Sequence, residues 1–147
     1  MHTPIRSVAI AAAIGLALLA SPALAETWNF AATLSAAEEV PPNDSPGTGT
    51  VEATYDDATK VLTWTIAYEG LTGDATAAHF HGPAAVGENA GPVVPIEGAL
   101  ASPIAGEATL DDAQAADLQA GMWYVNVHTA AYPDGELRGQ VVKADAM

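Results

Sequence analysis

The sequence predicts an all-β fold, an antiparallel sandwich or barrel with one short connecting helix. Three observations lead there. Apolar residues alternate with period two through most of the chain after its first 25 residues, the signature of half-buried strands. Clusters of Gly, Pro, Asn and Asp such as "HGPAAVGENAGP" and "AAYPDG" separate these runs, and short strands spaced by such turns are typical of sandwiches and barrels. A single stretch, "TLDDAQAADLQAG", carries helix signals instead.

Residues 1–25 read as a secretory signal peptide. Arg6 precedes an apolar run from Val8 to Ala20, and Ala23-Leu24-Ala25 forms a small-x-small cleavage site before Glu26. The run is shorter than the roughly 20 apolar residues a bilayer helix needs. Residues 26–147 then form one domain that is exported, periplasmic or secreted, with no membrane attachment after cleavage.

In "TWNFAATL" Trp28, Phe30, Ala32 and Leu34 share one face; in "GTGTVEATY" Val51, Ala53 and Tyr55 do so. "DDATK" turns the second run into a third, "VLTWTIAY", where Leu62, Trp64, Ile66 and Tyr68 oppose Thr63 and Thr65, so the pair is a hairpin. Further strands are expected at 75–81, 93–96, 104–109, 123–129 and 136–143. The helix starts at a capping-box-like Thr109…Asp112 and stops at Gly121; it is short and alanine-rich, a connector packed on a sheet edge. "SAAEEVPPNDSPGTG" is an irregular loop whose acids and prolines protect an edge.

Composition excludes several functions. The chain has four Lys and Arg against 18 Asp and Glu, a formal net charge of −14, and cleavage would remove Arg6 and no acid. Such a surface repels phosphate backbones and anionic lipid, which argues against nucleic-acid or membrane-surface partners. With no cysteine, thiol chemistry and cysteine zinc sites are absent and the core must hold the domain together alone. There is no Gly-x-Ser-x-Gly elbow and no glycine-rich loop joining strand to helix. Asp56-Asp57 and Asp111-Asp112 fall in a turn and at a helix start, where solvation and capping explain them.

Histidine carries the strongest chemical signal. Beyond the leader only His79, His81 and His128 remain. On a strand, residues i and i+2 lie on one face roughly 6 to 7 Å apart, so His79 and His81 point the same way and can place ring nitrogens about 2.0 Å from one ion. Gly82-Pro83 ends that strand at a rim. In "MWYVNVHT", Val125 and Val127 take one face and leave Tyr124, Asn126 and His128 on the other; if the two strands are neighbours, His128 completes a three-imidazole set. Neutral imidazole suits copper and zinc. The plainer reading is three polar residues facing water.

In "YPDGELRGQVV", Pro133-Asp134-Gly135 is a turn, after which Glu136, Arg138 and Gln140 share a face. Arg138 can draw a small anion toward the metal, with Glu136 or Asp134 as a ligand or as the acceptor for an imidazole N–H. The competing reading pairs Glu136 with Arg138 across strands.

Over the whole mature chain the sequence resembles the CHRD domain family, the module named after chordin, through "LSAAEEVPP", "GTGTVEATYDDATKVLTWTIAYEGLTG", "AHFHGPA", "GPVV" and "LQAGMWYVNVHTAAYPDGELRGQV". The resemblance implies a Greek-key, immunoglobulin-like β-sandwich, found as repeats in an extracellular antagonist of bone morphogenetic proteins and as single exported bacterial domains. The site pattern alone is similar to copper/zinc superoxide dismutases, which place a His-x-His pair on one strand and an arginine near the copper. "HFH", His128 and Arg138 match that pattern; a disulfide, a zinc loop and a bridging histidine are missing, so such an enzyme would be copper-only. Two functions are therefore expected: a domain binding one copper ion through His79, His81 and His128, as a buffer or a dismutase-like enzyme with Arg138 guiding the anion, or a non-enzymatic interaction module with no metal.

Overall fold

A computed structural model describes residues 24–144; most of the expected signal peptide lies outside the described residues. Eight strands follow in order: β1 (Thr27–Ser35), β2 (Thr48–Asp56), β3 (Val61–Glu69), β4 (Ala75–His81), β5 (Pro92–Pro95), β6 (Ile104–Thr109), β7 (Trp123–Thr129) and β8 (Leu137–Lys143). Helix α1 (Asp112–Gln119) joins β6 to β7. The all-β antiparallel fold is as the alternation predicts. Hydrogen bonding runs unbroken through the order β5-β4-β7-β8-β1-β2-β3-β6, so the two layers are halves of one nearly closed sheet.

Alternation produces this closure. Phe30, Leu34, Tyr55, Leu62, Ile66, Phe80, Trp123, Val125 and Val127 all turn inward and are essentially buried. Trp64 of one half meets Phe80 of the other edge to face, with ring centroids 5.1 Å apart, so aromatic packing holds the halves together. The expected hairpin is present: β2 and β3 pair from Asp56↔Val61 to Thr48↔Glu69. Asp56 Oδ1 accepts from the backbone N–H of Ala58 and Thr59 at 2.9 Å, and Lys60 takes the left-handed conformation that closes the turn.

Two expectations are corrected. The helix cap is not Thr109, which ends β6; Asp111 accepts from Gln114 N–H at 2.8 Å, and Gln114 returns the bond to Asp111 N–H at 3.0 Å. A Gln at the third helical position completes the box, which the Thr109…Asp112 spacing could not. The helix packs with Leu118 fully buried, against the inner strand β8 and against the edge strand β5, where Gln114 Nε2 donates to the Val93 carbonyl at 3.3 Å. Gly121, with φ 73°, stops the helix as expected. The second correction concerns residues 35–49, which shield neither edge strand. Asn43 Nδ2 donates to the carbonyls of Gly135 and Glu136, so this segment packs on the β7–β8 connection.

The true edges, β5 and β6, face each other across a gap lined by Trp64, Pro95, Glu97, Gly106 and Glu107. Among the described residues no helix is long and apolar enough to cross a membrane.

Candidate metal centre

The β4–β7 pairing brings the histidines together. Its register sets His79 opposite Asn126, His81 opposite Tyr124 and Ala77 opposite His128. Paired residues of antiparallel strands point to one side; with Ala78, Phe80, Val125 and Val127 inward, all three imidazoles stand on the outer face. One ligand nitrogen from each of His79, His81 and His128 lies within 4.8 Å of the other two.

That outer face is covered. Loop 82–91 folds over one side, and the β7–β8 connection with residues 39–43 covers the other. His81 is only 9% exposed. The uncharged outer residues of "WYVNVHT" are the sequence signal for this cover, since a strand without charges on either face is commonly buried on both.

Hydrogen bonds fix the tautomers. His128 Nδ1 lies 2.8 Å from the Pro133 carbonyl and His81 Nδ1 lies 2.9 Å from the Ala90 carbonyl. Carbonyls only accept, so both Nδ1 atoms carry protons and both Nε2 atoms carry lone pairs. His81 Nε2 is buried with no partner. His79 Nδ1 sits 3.2 Å from His128 Nε2, a spacing that two donors about 2.0 Å from one ion take up. In this arrangement His79 donates its Nδ1 proton to His128, and shifting that proton to Nε2 exposes three lone pairs: His79 Nδ1, His81 Nε2 and His128 Nε2.

Electrostatics favour the neutral form of the His79 and His81 rings. Burial pushes the His79 ring below the usual histidine range, helped by His128 and His81. His81 is also pushed down, chiefly by burial; the Ala90 carbonyl and Asn126 oppose this, while His128 and Arg138 add to it. Neutral imidazole is the form that ligates.

Arg138 lies behind this layer. Its guanidinium carbon is 3.6 Å from the Tyr124 ring centroid, and Tyr124 stacks on His81 with centroids 4.8 Å apart. The side chain is 2% exposed; Nη1 donates to Asn89 Oδ1 at 2.9 Å and Nη2 to the Glu88 carbonyl, tying down loop 82–91. Neither Glu136 nor Asp134 serves the imidazoles as sequence reasoning allowed. The acceptor for His128 is the Pro133 backbone. Glu136 is fully buried and both its oxygens are occupied: Ser45 Oγ and Thr72 N–H donate to Oε1, and Thr72 Oγ1 and Thr129 Oγ1 to Oε2. No Glu136–Arg138 ion pair occurs among the described residues.

Glu39, unremarked in the sequence, is 6% exposed, and its Oε1 is buried without a hydrogen-bond partner. It and Asn126 Nδ2 flank Gly135, whose φ is 136°. A Cβ at Gly135 would collide with both side chains. Gly135→Ala is therefore expected to destabilise the domain by about 1–3 kcal/mol and to displace the Pro133 carbonyl from His128; thermal unfolding and copper titration of the variant measure the two effects.

A half-buried three-imidazole cluster on an antiparallel β-domain defines the class: an all-β domain with a candidate metal centre. The family model for the CHRD domain matches residues 30–141, and the chain belongs to that family. No curated protein and no solved structure matches it.

Proposed function

We propose that this is an exported CHRD-domain protein that binds a single copper ion through His79, His81 and His128. The observation carrying the reading is the proton inventory: two Nδ1 atoms are held as donors by backbone carbonyls, which aims lone pairs of the cluster at one another. Copper(II) stands above zinc for nitrogen donor sets, and no thiolate competes in a chain without cysteine. A closed structural zinc site takes four ligands, whereas three imidazoles leave a position open, which suits an exchangeable ion. Export is supported by the leader-like residues 1–25 and by the family, and on this reading the domain works in the periplasm or outside the cell.

The test is copper titration of the cleaved protein, purified without a polyhistidine tag and followed by electron paramagnetic resonance. One copper per chain with nitrogen coupling from three imidazoles is expected; no uptake of copper or zinc by folded protein would leave the interaction module as the reading. A redox role is a second reading, favoured by the open coordination position that three imidazoles leave. Superoxide removal by the copper-loaded protein would support this reading, and its absence in fully loaded protein would end it.

A further inference from the structure

Glu39 is a buried acid with no cation to neutralise it. Among the described residues Arg138 is the one charge that acts on it, yet the guanidinium is committed to Asn89, Glu88 and the Tyr124 ring, and no ion pair joins the two residues. An unpaired buried carboxylate is costly, so such a group holds its proton. Burial pushes Glu39 up to about 7, against the opposing pull of Arg138 and the Val40 N–H.

Its position links it to the histidines. Glu39 Oε1 and Asn126 Nδ2 crowd the same point beside Gly135. Asn126 is the cross-strand partner of His79 on one side and of Arg138 on the other, and it acts on His81. Its Oδ1 is buried without a partner, as is His81 Nε2. Glu39 Oε1, Asn126 Oδ1 and His81 Nε2, three buried atoms without a partner in hydrogen-bond geometry, are thus linked through Asn126, which neighbours both other residues. Glu39 also lines a cleft of about 200 Å³ between residues 39–43 and 131–135, beside Tyr132 and the exposed Asp134.

We propose that Glu39 is the proton-exchanging partner of the three-imidazole site: it is protonated while the site is empty, and ionises when a divalent cation is held there. The carboxyl O–H bond breaks, the electron pair stays on the carboxylate, and the proton passes to water in the 39–43/131–135 cleft. Nothing else is consumed. The carboxylate then offsets one positive charge inside the covered face, so cation affinity rises with pH. This inference rests on the metal-binding reading above.

Two measurements test it. Infrared difference spectra of the wild-type protein at pH 6 should show a protonated-carboxyl stretch that is lost when copper(II) is added, and the Glu39→Gln variant should lack that change. Calorimetric titration with copper(II) in buffers of different ionisation enthalpy should show fewer protons released by Glu39→Gln. The affinity of the wild type should climb more steeply between pH 4.5 and 7, by up to about tenfold per pH unit relative to the variant. Copper bound with three-nitrogen coupling but with no carboxyl change would overturn the proposal and leave the metal site standing. Absence of any copper signal would overturn both. The wild-type spectrum decides the matter even if Glu39→Gln does not fold.

Discussion

Glu136→Ala is expected to lower the free energy of unfolding by about 3–5 kcal/mol, the range for breaking a buried, hydrogen-bonded charged network from one side. Four donors converge on this carboxylate from three separate places: Ser45 before β2, Thr72 after β3 and Thr129 at the end of β7. Removing the acceptor strands all four in a dry environment. Glu136→Gln, which keeps one acceptor oxygen, should lose less. Urea unfolding of both variants provides the comparison, and copper affinity should fall alongside stability because Thr129 and Glu136 bracket the connection that presents the Pro133 carbonyl to His128.

The same residue sets an acid limit. Burial alone would raise the Glu136 carboxyl, but the hydrogen bonds from Ser45, Thr129 and Thr72 outweigh it and hold the group below its ordinary value of 4.5. A carboxyl depressed in the folded state stabilises fully above its unfolded value, and that contribution is lost as pH falls through the lower folded one. Stability should therefore decline below pH 4.5 in the wild type and decline less in Glu136→Gln.

His128→Ala is expected to weaken copper binding by more than about 100-fold, beyond the range seen when groups that merely support a ligand are removed. It should also reduce the nitrogen coupling to that of two imidazoles. His128 is the ring that fixes His79, through the 3.2 Å contact, and is itself fixed by Pro133, so its loss frees a second ligand. Stability should change little, because His128 is only partly buried and its ring packs against the other imidazoles. Unchanged affinity and coupling in a folded His128→Ala protein would remove that residue from the site.

The strands and the shared face of the histidines were legible because both depend on a period of two, which survives in any sheet register. That β4 and β7 are neighbours could only be conjectured, since the pairing is set by how the whole chain closes. Arg138 and Glu136 were visible as residues and mistaken in surroundings: alternation says that they face outward, but not that loops 82–91 and 35–47 cover and bury them. Glu39 left no local trace at all. Its neighbours Asn126 and Gly135 are about ninety positions away in the chain, and an acid in a proline-rich loop reads as solvated. The helix cap failed for a smaller reason, because Thr109 and Asp111 both have capping chemistry and Gln114, three residues after Asp111, chooses between them.

The facing of β5 and β6 bears on how the protein behaves at high concentration. Unpaired strand margins invite further chains to add on and grow into fibrils, and a cysteine-free domain has no covalent staple to keep its layers shut. Here Pro92 and Pro95 withhold amide hydrogens from the margin of β5, Glu97 and Glu107 set like charges at the opening, and Trp64 fills the space beneath Gly106. Missing donors and like charges meet any strand that approaches this opening, so the near-closure that builds the core also leaves little free margin to extend.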